Sequence, residues 1–354
     1  LNRVGNYSGE IGGPVIKNRM WFWVGTDYQD INAGVVNFFK STPECKGPFT
    51  FSQLRAVQDC LANDKTTIQD FNGKANFQLN AANKFQFLTQ TNYKLRNNRG
   101  ANSTTAPEAT TSQYSAGPSP FTNPMYQVTH TWLPSDKLVF TNQYTTLAGG
   151  FALDNHDYKT CGSSTYASAV AASHPAYKPD NTNTCQWNIQ PLNNRTTGLN
   201  TRSISNQSFQ TIRPSYELKT DGTYFLSHVA GGDHALKFGV GWRKNPVLSY
   251  SHPNGGANVT LQCAGNVLAG CPADGKSIVA AGDPGPGLVP FRAVLVRDSL
   301  LNSDWQTTFG YLQDSYTKKR LTINGGIRYD YQWSKFLGGC AHANEVAPLM
   351  LQGQ

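Results

Sequence analysis

Residues 71–95 read FNGKANFQLNAANKFQFLTQTNYKL, and polar and apolar side chains alternate along both halves of this stretch. A period of two is typical of a β-strand, because successive side chains point to opposite faces of a sheet. The runs Phe71–Asn80 and Lys84–Leu95 are separated only by AAN. The pattern therefore predicts a β-hairpin in which each strand has one strongly polar face. Only Leu88 interrupts the polar row of the second strand.

The same unit recurs along the chain. Four further hairpins are predicted from Val4–Gly13 with Met20–Asp30, Met125–Leu133 with Leu138–Thr146, Tyr216–Val229 with Leu236–Trp242, and Trp305–Tyr316 with Leu321–Trp333. The alternation in Leu321–Trp333 has no exception. The sequence thus predicts an all-β protein with about ten antiparallel strands in five hairpins.

The connections between hairpins are far longer than the turns inside them. They comprise Lys40–Asp70 (31 residues), Arg96–Pro124 (29), Phe151–Ser215 (65) and Asn245–Asp304 (60). Connections in a compact domain usually have about 4–6 residues. Antiparallel strands reverse direction each time, so all short turns fall at one end and all long loops at the other. This asymmetry is typical of outer-membrane β-barrels, with short periplasmic turns and long extracellular loops. A soluble β-sandwich shares the alternation but leaves the loop lengths unexplained.

Composition agrees with a membrane barrel and argues against several other classes. Only 38% of the 354 residues are hydrophobic and the mean hydropathy is -0.46, so a conventional core is thin. No apolar run approaches the roughly 20 residues of a membrane helix. The net charge of +8 is scattered and no nucleic-acid-binding motif accompanies it. The histidines show no metal-ligand spacing, so no metal and no cofactor are expected.

The faces and ends of the strands lead to further predictions. We expect Phe77, Phe85, Phe87, Leu236, Phe238, Ile323 and Ile327 to face lipid, and Lys74, Gln86, Lys237, Asn324 and Arg328 to face the lumen. Three tryptophans lie next to short turns, and they are Trp21, Trp23 and Trp132. Aromatic rings concentrate at the membrane interface, so these three are predicted to form an aromatic girdle.

Three segments resemble the barrel of TonB-dependent outer-membrane receptors, most closely the Oar-like subgroup. They are GGPVIKNRMWFWVGTDYQ (12–29), GGDHALKFGVGWRKN (231–245) and FGYLQDSYTKKRLTINGGIRYDYQ (309–332). In the first, Trp21 and Trp23 stand where this group more usually has phenylalanine. The three matches occur in the family's order and span almost the whole chain.

The resemblance implies location, partners and domain organisation. A complete barrel of this family has 22 strands around a plug, whereas ten strands and neither a plug nor a TonB box are found here. We therefore expect residues 1–354 to be a partial outer-membrane barrel and an internal fragment of a receptor in a Gram-negative-type bacterium. The implied partners are membrane lipid, a bulky solute, and the plug and TonB system through segments outside this chain.

The resemblance also implies binding and passage of a solute, with no catalysis. The lumen candidates for contact with solute or plug are Lys74, Gln78, Gln86, Gln90, Lys237, Arg243, Arg328 and Asp330. These residues have a simpler alternative role, in which they solvate the lumen and pair with one another. Solute specificity is expected in the four long loops. A passive pore or a surface adhesin on a similar barrel is the alternative function. A secreted hydrolase or glycan-binding domain is disfavoured because no pair of carboxylates stands out.

The cysteines add a prediction about the loops. The first, third and fourth long loops each contain two, namely Cys45 and Cys60, Cys161 and Cys185, and Cys263 and Cys271. External loops form in an oxidising compartment, so three disulfides within loops are expected, each contributing about 2–4 kcal/mol. Cys340 has no partner in this scheme. Reduced thiols or a metal site are the alternative, although no CxxC spacing occurs.

Overall fold

The computed structural model shows a chain built almost entirely of β-strands. It describes residues 1–39, 60–115, 124–155, 191–195, 198, 200–201, 208–263, 288–297, 299–339, 343–344, 347 and 349–350. Short 3-10 helices lie at Pro107–Ala109 and Asn254–Gly256. None of the helices within these ranges has the length and apolar character needed to cross a membrane.

The strands vary in length from 2 to 20 residues. In chain order they are β1 (Arg3–Ile16), β2 (Met20–Phe39), β3 (Leu61–Asn80), β4 (Asn83–Arg99), β5 (Thr111–Ser115), β6 (Met125–Ser135), β7 (Leu138–Leu147), β8 (Gly150–Asn155), β9 (Leu192–Asn194), β10 (Asn200–Thr201), β11 (Ser208–Ile212), β12 (Ser215–Val229), β13 (Gly232–Lys244), β14 (Val247–His252), β15 (Ala257–Cys263), β16 (Leu288–Leu295), β17 (Ser299–Lys318) and β18 (Leu321–Phe336).

Ten long strands form one antiparallel sheet in which neighbours in sequence are neighbours in space. The order is β1-β2-β3-β4-β6-β7-β12-β13-β17-β18, which confirms the five predicted hairpins. Toward the loop end, β5, β8, β11 and β14 extend the same order between β4 and β17. Pro214 and Pro246 lie at two of the breaks between these pieces and have no N–H to donate to the ladder.

All five short turns lie at one end of the sheet, as predicted. Backbone hydrogen bonds join two of the turns to the neighbouring strand: Leu133 N–H of β6 donates to the Ala82 carbonyl at 2.8 Å, and Phe225 N–H of β12 to the Lys137 carbonyl at 2.8 Å. The turns contain Ala230 and Lys319 at φ of 52° and 53°, in the left-handed region. Two-residue hairpin turns use positive φ because its twist matches that of the flanking strands.

The long connections are shorter than the sequence predicted, because the strands continue into them. The predicted loop Lys40–Asp70 contains the first ten residues of β3; Arg96–Pro124 contains the end of β4 and β5; Phe151–Ser215 contains most of β8 and all of β9, β10 and β11; and Asn245–Asp304 contains β14, β15, β16 and the start of β17. These extensions carry polar residues on both faces, as LANDKTTIQ (61–69) shows. A strand with water on both faces needs no alternation, so periodicity does not detect it.

The long loops contact one another at the loop end. The third and fourth loops supply a second sheet of four strands, in the order β10-β9-β15-β16. The second loop reaches the third through a bridge between Thr105 and Asn200. A small buried cluster, formed by Val35, Phe38, Ala106 and Ala109, joins the second loop to the end of β2.

The register assigns each side chain to one of two faces, because residues directly opposite each other share a face. One row across the sheet is Trp23, Lys74, Leu88, Gln127, Thr145, Glu217, Arg243, Thr307 and Gln332. We call the face of this row the polar face and the opposite one the apolar face. The two predicted sets of outward and inward residues lie on the apolar and polar faces respectively. The prediction that they occupy opposite faces is confirmed.

The apolar face is uncovered. Val240, Leu312 and Ile327 lie on it with exposed fractions of 63%, 50% and 77%. Contiguous apolar surface of this kind marks a site of contact with lipid or protein. The sheet therefore has no core of its own in this region, and its apolar side chains need a surrounding apolar medium.

An aromatic girdle requires tryptophans on the lipid-facing side of the sheet. Trp132 lies on that side, whereas the prediction is wrong for Trp21 and Trp23. Trp132 lies on the apolar face and stacks on Phe140 with ring centroids 5.6 Å apart. Trp21 and Trp23, in contrast, lie opposite Asn76 and Lys74 on the polar face. A run of five apolar residues, Met20–Val24, cannot reveal which alternate set points outward. The pairing of β2 with β3 decides it.

The two outermost strands pair on one side only. Within the described residues, β1 pairs with β2 and β18 pairs with β17. Both strands are exposed along nearly their whole length. The sheet is therefore open at β1 and β18, and each edge presents unpaired backbone groups.

The structure describes only part of the predicted disulfide scheme. Cys60 is buried and disulfide-bonded, and Cys263 ends β15. The location of Cys263 in a strand differs from the sequence prediction, which placed it in an irregular loop. Five other cysteines lie outside the described residues, namely Cys45, Cys161, Cys185, Cys271 and Cys340. The three pairings therefore stay a prediction.

Candidate solute-binding surface

The eight candidate residues from the sequence all lie on the polar face, in two groups. Lys74, Gln78, Gln86 and Gln90 belong to β3 and β4, whereas Lys237, Arg243, Arg328 and Asp330 belong to β13 and β18. Strands β6, β7 and β12 separate the two groups. The structure therefore brings the candidates together within each group and not across both.

Arg328 is held in place by two neighbours on the polar face. Its guanidinium carbon lies 4.3 Å from the centroid of the Phe309 ring, a cation–π arrangement. Its Nε and Nη2 atoms each donate a hydrogen bond of 2.8 Å to the Asp330 carboxylate. Asp330 therefore positions Arg328, and the face of the guanidinium not on Phe309 stays available.

Tyr311 is fixed from the neighbouring strands. Its hydroxyl donates to Asp221 Oδ1 at 2.7 Å, and Lys219 Nζ lies 3.8 Å from the other oxygen of the same carboxylate. Asp221, Gly239, Tyr311 and Arg328 stand in one row across four strands. Asp221 and Lys219 were not predicted from the sequence, because only the pairing of β12 with β13, and of β13 with β17, brings them next to Tyr311.

Two glycines of β13 make room for the aromatic rings. A methyl group on Gly239 would lie 2.5 Å from Tyr311 Cε1, and one on Gly241 would overlap the Phe309 ring. The rings therefore lie across β13 where no side chain opposes them. Because the rings are fixed against the sheet, they form a flat aromatic floor beside Arg328.

A depression of about 510 Å³ opens next to this floor. Side chains of the polar face around it include Lys237, Tyr311, Gln313, Asn324 and Arg328. Lys237 makes no ion pair within the described residues. The depression thus offers two cations, two amides and a phenol, a set suited to binding a polar or anionic group. The described residues contain no group of three or more His, Cys, Asp or Glu side chains arranged for a metal.

Nearer the loop end, the polar face carries an ion pair and an exposed aromatic ring. Arg243 Nε donates to Glu217 Oε2 at 2.7 Å. Trp305 is 48% exposed on the same face, and its indole N–H donates to Ser303 Oγ at 2.9 Å. For Arg243, the structure favours the simpler role foreseen from the sequence, which is charge pairing along the wall.

The second group lies near the short-turn end. The Trp23 indole N–H donates to Glu10 Oε2 at 3.1 Å, and Trp23 stands beside Lys74 in the register. Gln78 Nε2 donates to the Asn80 carbonyl at 2.6 Å, so it is occupied in closing its own turn. Lys74 has no ion-pair partner among the residues that the structure describes, and it lies next to Trp23, which the sequence assigned to the other face.

Comparison with known proteins identifies the architecture. The family model described as outer membrane beta barrel domain matches residues 59–335. The outer membrane transporter YddB of Escherichia coli is 10% identical with a TM-score of 0.51, over 96% of this chain and 35% of that one. FpvA of Pseudomonas aeruginosa bound to heterologous pyoverdines is 11% identical with a TM-score of 0.51, over 94% of this chain and 36% of that one.

These likenesses concern the fold alone, because the identities are far below 25%. A second structure from Pseudomonas aeruginosa, the ferripyoverdine receptor bound to ferripyoverdine, gives a TM-score of 0.50 at 11% identity, over 94% of this chain and 36% of that one. The chain thus spans little more than a third of the length of these proteins. A comparison with curated protein sequences found no significant match.

Proposed function

The chain belongs to the outer membrane β-barrel domain family, and from that premise we propose that it forms part of the wall of a TonB-dependent receptor for a bulky solute. The protein is located in the outer membrane of a Gram-negative bacterium. Its role in this proposal is binding and passage of the solute, without catalysis.

One observation carries the proposal: the cationic and aromatic depression around Arg328 lies on the face opposite the lipid-facing side chains. In a barrel the face opposite the lipid lines the lumen. The polar face therefore supplies the surface that a solute or a plug contacts. Its cations beside the aromatic floor are Lys237 and Arg328, of which Arg328 is paired with Asp330.

The rest of the receptor is part of the proposal. The open edges at β1 and β18 need further strands, since an unpaired edge inside a membrane leaves backbone groups without hydrogen-bond partners. We assign those strands, the plug and the TonB box to a longer polypeptide of which this chain is a section. The matched structures are roughly three times as long, in agreement with this assignment.

A passive pore or an adhesin on a similar barrel is the competing function. These alternatives differ from the receptor in their dependence on energy, because only a TonB-dependent receptor loses transport when TonB is removed.

The uptake test uses a bacterium whose own gene encodes this chain. Mass spectrometry of the medium identifies solutes too large for general porins that wild-type cells remove. We expect the receptor-deletion and TonB-deletion strains to leave the same solutes in the medium. The double variant K237Q/R328Q should slow their removal about tenfold, since it deletes two charge-assisted contacts.

A matched control is Lys17→Gln in the first turn, which removes a cation away from the depression. It should transport like wild type. Uptake that persists without TonB would overturn the receptor in favour of a pore. Unchanged uptake in K237Q/R328Q would show that the depression does not contribute to transport, without contradicting the receptor function.

We also propose the three disulfides within loops as Cys45–Cys60, Cys161–Cys185 and Cys263–Cys271. The disulfide bond of Cys60 supports the first of them. Closing these segments restricts the unfolded chain and thereby stabilises the loops in which we expect solute specificity.

Thiol titration of the unfolded, non-reduced protein checks the scheme. Of the seven cysteines, we expect at most one free thiol, from Cys340. Peptide mapping then identifies the linked pairs. Titration of six or seven thiols would contradict both the disulfides and the external location of the loops.

A further inference from the structure

The small sheet at the loop end has an open edge. Its strand order is β10-β9-β15-β16, and β16 pairs with β15 in a regular antiparallel register over Arg292–Leu295. Among the strands that the structure describes, none pairs with β16 on its other side. Backbone N–H and C=O groups along that side of a terminal strand point away from the sheet. The β16 edge is therefore able to accept a further strand.

The side chains along this edge are exposed and mostly apolar. Phe291, Arg292, Ala293 and Val294 are four consecutive exposed residues. By contrast, Leu192 in the interior strand β9 is buried. Neighbouring exposed apolar side chains of this kind mark a contact surface. The β16 edge thus offers apolar contacts together with its unpaired backbone groups.

The features that usually protect an exposed edge occur only at the start of β16. Proteins block edge strands with proline, with lysine or with a β-bulge. Pro290 lies where the register against β15 shifts, between Thr260 and Leu261. The segment Arg292–Leu295 follows this irregularity, and it contains neither proline nor lysine. Pairing with another strand is therefore unobstructed over Arg292–Leu295.

The charge around the edge is entirely positive. Arg195 directly follows β9, and its side chain reaches across β15 so that the guanidinium carbon lies 4.3 Å from the centroid of the Phe291 ring. Neither Arg195 nor Arg292 has an ion-pair partner among the residues that the structure describes. Strands β9, β10, β15 and β16 contain no aspartate or glutamate. The edge therefore attracts carboxylates, whereas pairing with a second copy of itself would bring like charges together.

We propose that Arg292–Leu295 binds an extended acidic segment of an external protein, which pairs with β16 as a fifth strand of the small sheet. In strand addition, backbone hydrogen bonds provide affinity and side-chain contacts provide specificity. Here Phe291 and Val294 contact apolar side chains of the segment, and Arg195 and Arg292 pair with its carboxylates. The long loops of an outer-membrane barrel face the outside of the cell, so the partner reaches the sheet from there. This inference goes beyond the proposed uptake and does not depend on it.

The test measures fluorescence anisotropy of three labelled peptides with the full-length protein, purified from the bacterium whose own gene encodes this chain. The acidic peptide alternates valine and glutamate over about eight residues, the length of an ordinary strand. The second peptide has lysine in place of glutamate. The third is the acidic peptide with every backbone amide N-methylated, so it keeps its charge and has no N–H to donate.

We expect only the acidic peptide with unmodified amides to bind. Equal binding of the lysine peptide would overturn the acidic partner. Equal binding of the N-methylated peptide would overturn strand addition in favour of a simple charge effect, and no binding of the acidic peptide would overturn the whole proposal.

Two double variants locate the binding site. R195Q/R292Q should bind the acidic peptide about tenfold more weakly, since an exposed arginine–carboxylate pair contributes up to about fivefold. The matched control is K319Q/R320Q, which removes two exposed cations from the turn between β17 and β18, at the short-turn end. It should bind like wild type. An equal loss in both variants, or no loss in R195Q/R292Q, would place the binding away from β16.

Native mass spectrometry without peptide tests the other occupant of the edge. Dimers that the acidic peptide dissociates would show that a second copy occupies β16, and they would overturn the assignment to an acidic partner. Heat-modifiable mobility on gels establishes that each variant is folded. If R195Q/R292Q is not folded, the comparison of the three peptides on the wild-type protein still decides the proposal.

Discussion

Replacing Val240 with arginine is expected to destabilise the membrane-embedded protein by about 2–4 kcal/mol, the cost of a cation at the centre of a lipid-facing strand. Val240 is 63% exposed on the apolar face, in the middle of β13. Its nearest rows on that face contain Phe238 and Trp242. The introduced guanidinium is therefore surrounded by hydrocarbon. Its nearest neighbours on the same face of β13, Phe238 and Trp242, offer no carboxylate to pair with it. Unfolding by urea in phospholipid vesicles, followed by tryptophan fluorescence, measures the effect.

Gln143→Arg is the matched control for this substitution. Gln143 lies on the polar face in a neighbouring part of the same sheet, opposite Lys219. The added charge there stays in contact with water, so a change below about 1 kcal/mol is expected. Equal destabilisation by both substitutions, or a larger effect at Gln143, would mean that the faces have been assigned the wrong way round.

Gly241→Ala should cost about 1–3 kcal/mol, because the new methyl group overlaps the Phe309 ring. Movement of the ring would disturb its contact with Arg328, whose guanidinium carbon lies 4.3 Å from the ring centroid. The substitution should therefore displace Arg328 as well, and we expect weaker solute uptake together with a lower free energy of unfolding. The same urea measurement reports the stability, and uptake is measured in cells.

Gly325→Ala provides the comparison. Gly325 lies in β18, and a methyl group there would meet nothing within 4 Å. Alanine should be tolerated or slightly stabilising, because it restricts the unfolded chain. A large loss of stability at Gly325 with none at Gly241 would show that the packing of rings on glycines does not hold β13 and β17 together.

The sequence by itself determined the architecture. Alternation with a period of two located all five hairpins, and the contrast between AAN or TKKR and the long connections placed every short turn at one end. The sequence also predicted that the eight candidate residues share one face, since the face of a residue follows from its parity within a clearly alternating strand. These features depend on interactions within one hairpin, so they can be predicted from the local sequence.

Only the tertiary structure decided the features that depend on pairing between distant segments. The register of β2 against β3 moved Trp21 and Trp23 to the polar face. The pairing of β13 with β17 placed Tyr311 and Phe309 over Gly239 and Gly241, residues about 70 positions apart in the chain. The strand extensions at the loop end could not be detected for a related reason: they carry polar residues on both faces, so they lack an apolar period. The alternation of polar and apolar residues reflects the medium on each side of a strand. The register depends on which other strand pairs with it, and the alternation does not contain that information.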